Sequence, residues 1–430
     1  MRILLSAYAC EPGKGSEPGM GWHWALEIAR LGHEVWILTR ENNLPSLERA
    51  LTLQPNLPIH LVGYDLPAWL RWWKKGGRGV NAYYSLWQRG AYQVARRLAL
   101  KTHFDLIHHI TFAVFRQPSL MGRIGVPFVL GPIGGGESTP PRLLGSYPFR
   151  GRAVDAARDL ANRIAGFNPA VRRSFARAAL ILCKTKETLA YVPPAYRVKC
   201  VMTQDVAIEE DRIAPEPSAN PSAPRFLYVG RLLYWKGIHL ALQALAQMRR
   251  NCPDATLTVA GKGPDRKWLC QMADRLGIAH AVEWNGWVPR EQVLDMYRGH
   301  TAFLFPSLHD SGGTVIMEAL SQGLPIICMD TGGPGAMLPP SCGFKIPVEA
   351  RSQAEVVCDL AAAMQQLAGN PALRLEMAQR ALQAAKENTW RQVVSRTYKH
   401  IQGSGLVPQS GQSPAKSDAV APVNVITHQM

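Results

Sequence analysis

The chain has 430 residues, of which 47% are apolar and 19% are charged. This length and composition suit two or three domains with large cores, and they exclude dominant disorder and a small disulfide-stapled fold. The 48 Lys and Arg residues exceed the 32 Asp and Glu residues by 16, so the partner could be nucleic acid, an anionic membrane surface or a phosphorylated substrate.

The cysteines and the N-terminus indicate a reducing compartment. The eight cysteines are scattered and form no Cys-x-x-Cys pair, which favours small core residues over metal ligands. The apolar stretch after Met1 is too short for a signal peptide, and no apolar run approaches the roughly 18 residues that span a bilayer. We therefore expect a cytoplasmic protein that contacts a membrane only from the side.

Short apolar runs alternate with helical segments along the whole chain. The predicted strands of the first half are Arg2–Tyr8, Glu34–Thr39, Ile59–Tyr64, Leu106–Ile110, Phe128–Gly131 and Ala179–Cys183. After a Pro- and Ser-rich stretch at 215–224, a second series has strands at Arg225–Val229, Thr256–Ala260, Val282–Trp284, Ala302–Phe305 and Pro325–Met329. The predicted helices include Trp22–Leu31, Ile238–Arg249, Arg266–Leu276, Thr314–Gln322 and Gln353–Glu387. Such alternation predicts parallel sheets with helices on both faces.

This pattern predicts an α/β protein of two doubly wound, Rossmann-like domains that face each other across a cleft. The first domain would span 1–205 and the second 206–385. Residues 403–430 are rich in Ser, Pro, Gly and Gln without periodicity, which predicts a disordered tail. Ligands of such sheets bind where the carboxyl ends of the strands meet, so the loops after the strands are the place to search for a site.

A glycine-rich loop, Gly13–Gly21, joins the first predicted strand to the first predicted helix. Glycines let a backbone approach an anion or a sugar, and a helix N-terminus offers free N–H groups. The spacing fits neither the dinucleotide fingerprint nor a Walker loop. Taken alone, the loop is better interpreted as a flexible surface loop with turn residues.

A second segment, Gly230–Gly237, directly follows the first strand of the second domain. Arg231 offers a planar fork of donors and Lys236 a point charge, and together they could clamp a diphosphate. The alternative is an ordinary solvated pair of cations.

A third segment places two carboxylates, Asp310 and Glu318, around the sequence Ser-Gly-Gly-Thr at 311–314. The amides of that sequence could form an anion nest at a helix start, and Glu318 could accept hydrogen bonds from a vicinal diol such as a ribose. An acidic N-cap plus an unrelated surface Glu is the alternative. It is disfavoured because Glu318 lies in the apolar run VIMEAL, where an unpaired charge would be costly.

A fourth segment ends a predicted strand of the first domain with His108 and His109. A histidine there could face the cleft and contact substrate hydroxyls, whereas a packed or capping histidine is an equally good interpretation. Adjacent side chains on a strand face opposite ways, so at most one of the two can point into the cleft.

In this order, the segments resemble the family-4 (group 1) retaining glycosyltransferases of the GT-B fold, over nearly everything from Met1 to about His400. The specific element is the acidic-x7-Glu pattern that contains Gly-Gly and follows Phe-Pro-Ser. The Gly-Arg-x4-Lys-Gly segment, the Gly261–Pro264 and Gly32–Val35 turns and the Thr389-Trp390 pair match as well. The N-terminal loop together with the segment 131–137 resembles a branch associated with bacterial exopolysaccharide and surface-glycan assembly.

The resemblance implies a role for individual residues. Arg231 and Lys236 would bind the donor diphosphate, and Glu318 would bind the ribose. The implied catalytic residues are Arg231, Lys236, Asp310 and His109. The implied donor-binding residues are Gly15, Ser16, Arg231, Lys236, Trp287, Val288, Asp310, Ser311, Gly312, Gly313, Thr314 and Glu318, with Trp287 and Val288 against the base. The implied acceptor-side residues are Glu17, His108, His109 and Glu137.

By the same resemblance, the protein would be a hexosyltransferase. It would move a hexose from a UDP- or GDP-linked donor to an acceptor hydroxyl with retention of configuration, and the acceptor would be a lipid-linked saccharide in bacterial polysaccharide biosynthesis. No metal or other cofactor is expected, because the two cations would neutralise the leaving diphosphate. A crossover helix at 386–402 would return to the first domain.

Two departures from the family pattern stand out. Asp310 replaces the usual Glu, which shortens the reach toward the sugar by one methylene. The common His-x-His pattern appears as His108-His109-Ile110, which leaves the assignment of the catalytic histidine open.

Two segments carry much of the positive charge, namely Trp69–Arg78 and Arg142–Arg177. Aromatic and basic residues together suit an anionic lipid interface, which predicts peripheral docking on the inner face of the plasma membrane. They also suit nucleic acid, but the sequence contains no nucleic-acid-binding module, so no nucleic-acid partner is predicted. A solvated basic face without a partner remains an alternative.

Other functions fit the pattern less well. A non-catalytic GT-B protein that binds sugar nucleotides or glycans is the alternative from a different class, and Arg231, Lys236 and Glu318 argue against it. A GT-B phosphorylase or an epimerase is the alternative among enzymes.

Overall fold

The computed structural model describes residues 1–71, 79–217, 221, 223–407 and 426–427. The chain forms two compact units. Unit 1 comprises Met1–Gly135, Asn162–Asp205 and Trp390–Met430, and unit 2 comprises Gly136–Ala161 and Val206–Thr389. Each unit is built around a parallel sheet, as the alternation of strands and helices predicts.

Unit 1 contains an eight-stranded sheet in the order β14-β3-β2-β1-β4-β5-β6-β7. Its strands are β1 Arg2–Ser6, β2 Glu34–Thr39, β3 Ile59–Gly63, β4 Leu106–His109, β5 Phe128–Ile133, β6 Leu180–Cys183, β7 Cys200–Met202 and β14 Ile426–Thr427. The central strands are almost wholly buried, which explains why they are continuous apolar runs rather than alternating ones. All pairs are parallel.

The helices of unit 1 cover this sheet, and one of them comes from the far end of the chain. They are α1 Ser16–Arg30, α2 Leu44–Thr52, α3 Val80–Lys101, α5 Pro169–Arg177, α6 Lys186–Tyr191 and α14 Trp390–Gly403. Helix α14 packs on α1, where Trp390 stacks on His23 with ring centroids 4.8 Å apart. A helix from the C-terminal part of the sequence therefore does return to the first unit, as the family resemblance implies.

The glycine-rich loop is shorter than the sequence suggests, because α1 begins at Ser16 rather than at Trp22. Gly19 and Gly21 lie inside the helix. A Cβ at Gly19 would overlap the carbonyl oxygen of Lys14, and one at Gly21 would overlap that of Ala9. These two glycines are therefore required by close backbone packing at the start of α1.

Unit 2 contains a six-stranded sheet in the order β10-β9-β8-β11-β12-β13, again with parallel pairs only. Its strands are β8 Arg225–Val229, β9 Thr256–Ala260, β10 Val282–Gly286, β11 Ala302–Phe305, β12 Ile326–Met329 and β13 Gly343–Ile346. The order reverses at β8 and β11, and the loops that follow these two strands lie side by side. This is where open α/β sheets place their ligands.

The helices of unit 2 are α7 Ile238–Met248, α8 Arg266–Arg275, α9 Arg290–Arg298, α10 Thr314–Ser321, α11 Gly332–Met337, α12 Gln353–Gly369 and α13 Pro371–Glu387. The helical stretch predicted for 353–387 is confirmed, and it consists of two helices. It breaks at Asn370, whose side chain accepts a hydrogen bond from Leu373 N and caps α13, while Pro371 cannot continue α12.

Helix α4, Phe149–Ala165, contains the boundary between the two units. The segment Gly136–Ala161 belongs to unit 2, whereas the sequence assigns it to a first domain of 1–205. The second unit ends at Thr389 rather than at residue 385, because α13 continues to Glu387. The predicted crossover helix at 386–402 corresponds to α14.

Parts of three predicted features lie outside the described residues. They are 72–78 of the segment Trp69–Arg78, 218–220 and 222 of the Pro- and Ser-rich stretch, and most of the tail predicted at 403–430. Ile426 and Thr427 fall within that tail and pair with β3. Among the described residues, no helix has both the length and the apolar character that crossing a bilayer requires.

Candidate functional site

Lys236 and Asp310 form an ion pair at the carboxyl edge of the sheet of unit 2. Lys236 follows β8 and Asp310 follows the neighbouring strand β11, and the Nζ of Lys236 lies 2.6 Å from the Oδ2 of Asp310. The same Nζ lies 5.0 Å from the ring centroid of Phe305. Two residues that the sequence proposes separately are thus brought together.

Backbone packing holds the two loops in register. Gly237 has a φ of +70°, and a Cβ there would overlap the carbonyl oxygen of Pro306. Leu308 N donates to the carbonyl oxygen of Trp235 at 2.9 Å. The position of Lys236 relative to Asp310 is therefore set by main-chain contacts, which are less adaptable than side-chain contacts.

The segment after Asp310 leads into α10, whose N-cap is Gly313. Gly333 N donates to the carbonyl oxygen of Asp310 at 2.7 Å, and a Cβ at Gly333 would lie 2.6 Å from Gly312 N. This close approach fixes the backbone of residues 310–313. The N–H groups of the first turn of a helix lack intrahelical partners, so this turn can donate to an anion or to a sugar oxygen.

The remaining predicted donor residues of unit 2 lie on loops at the same edge. Arg231 is exposed, and its carbonyl oxygen accepts a hydrogen bond from Tyr228 Oη at 3.0 Å. Trp287 follows β10 with 68% of its surface exposed, whereas Val288 packs against the core. Arg231 and Trp287 therefore present a guanidinium and an indole to solvent.

Glu318 is buried on α10, and its charge is balanced by a residue that the sequence analysis missed. Its Oε1 accepts a hydrogen bond from Arg290 Nε at 3.0 Å, and its Oε2 lies 3.4 Å from Tyr297 Oη, which donates to it. Arg290 also contacts Glu209 Oε1 at 3.2 Å. Burial lowers the pKa of Arg290, but the charges of Glu318 and Glu209 outweigh this effect and raise it.

An unpaired Glu318 carboxylate in the apolar run VIMEAL would be costly, so the sequence indicates that a cation lies near Glu318. The sequence does not say which of the many arginines supplies it. Arg290 begins α9 and is 28 positions away from Glu318.

A second buried polar cluster ties the segment 136–161 to unit 2. Asp155 on α4 accepts hydrogen bonds from Thr139 Oγ1 at 2.8 Å and from Tyr234 Oη at 2.9 Å. His309 Nε2 lies 3.3 Å from Asp155 Oδ1, and the His309 ring stacks on Trp235. Burial raises the pKa of Asp155, but His309 and the two hydroxyl donors outweigh this effect and lower it. Trp235 and His309 immediately precede Lys236 and Asp310. The cluster therefore holds the two residues that are adjacent in sequence to the ion pair.

Glu137 is part of this same region of unit 2. Its side chain is buried, and its carbonyl oxygen accepts a hydrogen bond from Arg158. A Cβ on Gly332 would lie 3.3 Å from Glu137 Cγ, so Glu137 lies beside the start of α11. The sequence predicts Glu137 as an acceptor-side residue of the first domain, and the structure places it in unit 2.

His108 and His109 are fully buried in unit 1 and face opposite sides of the sheet. His108 contacts Tyr398 Oη through Nδ1 at 3.0 Å and the carbonyl oxygen of Gly131 through Nε2 at 2.8 Å. His109 contacts Tyr84 Oη through Nε2 at 2.9 Å and Ser6 Oγ through Nδ1 at 3.0 Å. Burial lowers the pKa of His108 to about 4 and that of His109 to about 3. Both rings are therefore neutral at pH 7.

Gly15, Ser16 and Glu17 lie at the start of α1. Gly15 and Ser16 are exposed, whereas the Oε1 of Glu17 accepts a hydrogen bond from Phe112 N at 3.2 Å. Burial raises the pKa of Glu17, and the charge of Lys184, itself paired with Asp205, partly opposes this. Glu17 is thus a carboxylate with a raised affinity for protons.

Parts of the chain are similar in sequence to known glycosyltransferases. Residues 209–384 match the family model described as Glycosyl transferases group 1. A glycogen synthase of Mycobacterium tuberculosis is 35% identical over 122 residues, which make up 28% of this chain and 29% of that protein. The chain thus spans less than a third of the length of this relative.

Solved structures match over almost the whole chain. Sucrose-phosphate synthase from Thermosynechococcus elongatus superimposes with a TM-score of 0.62 at 16% identity, covering 94% of this chain and 98% of that one. Anabaena Alr3699/HepE, in complex with UDP and glucose, superimposes with a TM-score of 0.56 at 16% identity, covering 93% and 98%. The fold is that of the GT-B glycosyltransferases. Within this GT-B chain, Arg231, Lys236, Asp310 and Glu318 all fall in the region matched by the family model.

Proposed function

We propose that this protein is a retaining hexosyltransferase that uses a UDP- or GDP-linked sugar as donor. The observation that carries the proposal is the Lys236–Asp310 pair, which lies beside the start of α10 at the strand-order reversal of unit 2. The match of residues 209–384 to group 1 glycosyltransferases supports it, as does a GT-B neighbour in complex with UDP and glucose.

The diphosphate of the donor would bind the cations at this edge. Arg231 can reach phosphate oxygens from its exposed loop, and Lys236 can add a point charge. As the bond between sugar and diphosphate breaks, negative charge grows on the leaving diphosphate. Fixed cations stabilise that charge without reorganisation. On this proposal, the chain's own cations perform the neutralisation, and neither a metal nor another cofactor is needed.

Asp310 would have two roles in this site. Its carboxylate orients Lys236, and it lies before the backbone of residues 311–314, which is proposed to contact the donor sugar. Trp287 and Val288 would pack the base. These roles remain predictions for each residue.

Glu318 would bind the ribose through the lone pairs that remain free. Each carboxylate oxygen can accept about two hydrogen bonds, and Arg290 and Tyr297 each supply one. Arg290 also balances the charge of the Glu318 carboxylate, which can accept from two vicinal hydroxyls.

The acceptor-side roles of Glu17, His108, His109 and Glu137 also remain predictions, together with donor contacts from Gly15 and Ser16. Since His109 is neutral at pH 7 and both of its ring nitrogens have partners, we propose that it acts as a neutral hydrogen-bonding group. Its catalytic role would then lie in positioning rather than in proton transfer. The proposed acceptor is a lipid-linked saccharide of bacterial polysaccharide synthesis, met by a cytoplasmic enzyme at the inner face of the plasma membrane.

The first test is a thermal-shift screen against UDP, GDP, ADP and their sugar conjugates, in EDTA. A ligand that binds only the native state raises the melting temperature by mass action, so one base should stabilise the protein selectively. Arg231→Ala should abolish the shift, whereas Arg266→Ala, which removes an exposed arginine from α8, should keep it. If no nucleotide stabilises the wild type, the donor site is wrong. If nucleotides bind but no sugar is transferred to any lipid-linked saccharide, the non-catalytic alternative is favoured.

A further inference from the structure

Helix α4 has its polar side inward and its apolar side outward, the reverse of an ordinary surface helix. The inward side carries Asp155, Arg158 and Asn162. Within unit 2, Asp155 bonds to Thr139 and Tyr234, and within unit 1 the fully buried Asn162 donates to the carbonyl oxygen of Gly135. These polar side chains of α4 therefore form hydrogen bonds within the protein and hold the helix in place.

The outward side of the same helix is an apolar ridge. Successive residues of an α-helix are about 100° apart, so Phe149, Ala153, Ala156, Leu160 and Ile164 fall within about 80° of arc. Phe149 is 80% exposed, Leu160 58% and Ile164 59%. Large apolar side chains aligned in this way are rarely left in water without an interaction partner. We call these five residues the α4 ridge.

Positive charge flanks the α4 ridge on both sides. Arg150 lies along one flank, and Arg152 and Arg163 lie along the other, all exposed. Residues 142–177 contain eight arginines and two aspartates. Asp155 is buried, and Asp159 lies 3.7 Å from Arg158, so the negative charges of α4 are offset within the protein.

An apolar ridge flanked by arginines is the pattern of a helix that lies in the plane of an anionic membrane surface. We propose that the α4 ridge docks the protein on an anionic bilayer, with the apolar side chains among the acyl chains and the arginines at the phosphates. This rests on the proposed function, because a lipid-linked acceptor would be met at such a surface, and it assigns the membrane contact to a particular helix.

Other occupants fit the ridge less well. Nucleic acid would suit the arginines but would leave the apolar crest without a partner. A second copy of the chain, paired about a two-fold axis through the ridge, would bring the arginines of both copies into one interface. A bilayer with anionic headgroups can contact both the apolar side chains of the α4 ridge and the arginines beside it.

The test is co-sedimentation of the full chain with vesicles of phosphatidylcholine alone and of phosphatidylcholine with 30% phosphatidylglycerol (about the anionic fraction that gives a strong surface potential). The wild type should bind the anionic vesicles, and binding should weaken as salt is raised. Leu160→Glu with Ile164→Glu should reduce binding at least about tenfold. A control pair, Leu53→Glu with Leu100→Glu, removes side chains of 83% and 82% exposure elsewhere and should leave binding within about twofold.

Arg150→Gln, Arg152→Gln and Arg163→Gln together should weaken binding and flatten its salt dependence. Three outcomes would overturn the proposal: no binding of the wild type to anionic vesicles, an equal loss in the control pair, or a wild-type dimer in light scattering that the ridge variant dissociates. The nucleotide-induced thermal shift is measured on every variant. A ridge variant that keeps the shift but loses vesicle binding supports the proposal. A wild type without the shift overturns the donor site, while ridge-dependent vesicle binding would still support the docking face.

Discussion

The guanidinium of Arg290 holds the buried carboxylate of Glu318 with an Nε–Oε1 distance of 3.0 Å. Glu209 contacts the same guanidinium from another side. Arg290 is therefore shared by two carboxylates, and the positions of α9, α10 and the segment around Glu209 depend on one cation.

Glu318→Gln should lower the free energy of unfolding by about 1–3 kcal/mol, because it removes the charge that Arg290 compensates in a buried setting. Since Arg290 keeps Glu209, the loss should stay below that of an isolated buried pair. Urea denaturation measures it, with Glu291→Gln on the exposed side of α9 as control. Adding Arg290→Gln to Glu318→Gln should cost less than the sum of the two single changes. Strict additivity would mean that the pair is not coupled.

Gly237→Ala should destabilise the protein more than Gly277→Ala does. Both glycines have a φ of +70°, but only at Gly237 would the new Cβ meet a neighbour, the carbonyl oxygen of Pro306. The shared φ penalty is about 1 kcal/mol, so the difference between the two variants measures the steric overlap. Gly237→Ala should also weaken nucleotide binding, because it shifts Lys236. Equal destabilisation by both variants would contradict the close packing of the two loops.

Lys236→Ala should lower sugar transfer by about 10²–10³-fold, the loss expected when one fixed charge at a developing anion is removed. Asp310→Asn should also lower transfer, because the ammonium of Lys236 loses its carboxylate partner. Initial rates at saturating donor measure both effects, with the exposed Lys267→Ala as control. Near wild-type rates in Lys236→Ala would remove the proposed diphosphate site.

The stability of the protein should fall in mildly acidic solution. Burial lowers the pKa of His108 to about 4 and that of His109 to about 3, from an ordinary 6.5. Below pH 6.5, the unfolded chain binds protons that the folded protein excludes. The stabilisation is therefore complete above pH 6.5 and is lost as the pH falls toward 4, by up to about 1.4 kcal/mol per pH unit for each histidine.

Urea denaturation at pH 7.5, 6.0 and 5.0 tests this dependence. His109→Gln should reduce the slope, whereas His103→Gln should leave it unchanged, because the side chain of His103 is exposed. A slope that His109→Gln does not alter would mean that His109 titrates normally in the folded protein.

Asp155→Asn should lower the free energy of unfolding by about 1–3 kcal/mol, because a buried acceptor of two hydroxyl donors loses its charge. Thermal or urea denaturation measures this, with the exposed Asp274→Asn on α8 as control. The same variant should raise proteolytic cleavage within 136–161, since this segment is tied to unit 2 through Asp155. Cleavage unchanged from the wild type would contradict that role.

Much of the fold could be predicted from local pattern. The central strands of both sheets are continuous apolar runs because they are buried on both faces, and the alternation of strands with helices predicts parallel order. The same logic predicts that His108 and His109 face opposite sides, and their different partners, Tyr398 and Tyr84, agree with it.

What could not be predicted depends on contacts between distant parts of the chain. Helix α4 buries its polar side. A prediction from its periodicity, which assumes that the apolar face is buried, therefore orients this helix incorrectly. The membership of 136–161 in unit 2 rests on Asp155 and Tyr234, which are 79 positions apart. Arg290 was missed for the same reason. The sequence indicates that Glu318 needs a cation beside it, but it does not identify Arg290 as that cation.

Helix α14 belongs to the same unit as the first strands and helices of the chain. Tyr398 contacts His108 in the middle of the sheet of unit 1, and Trp390 stacks on His23 of α1. During synthesis, strands β1 to β7 are made before helix α14, and most of unit 2, Val206–Thr389, is made in between. Unit 1 therefore lacks a helix that packs on its core until residues 390–403 have been made. A substitution in α14 should alter the surroundings of residues that were made much earlier, such as His23 and His108.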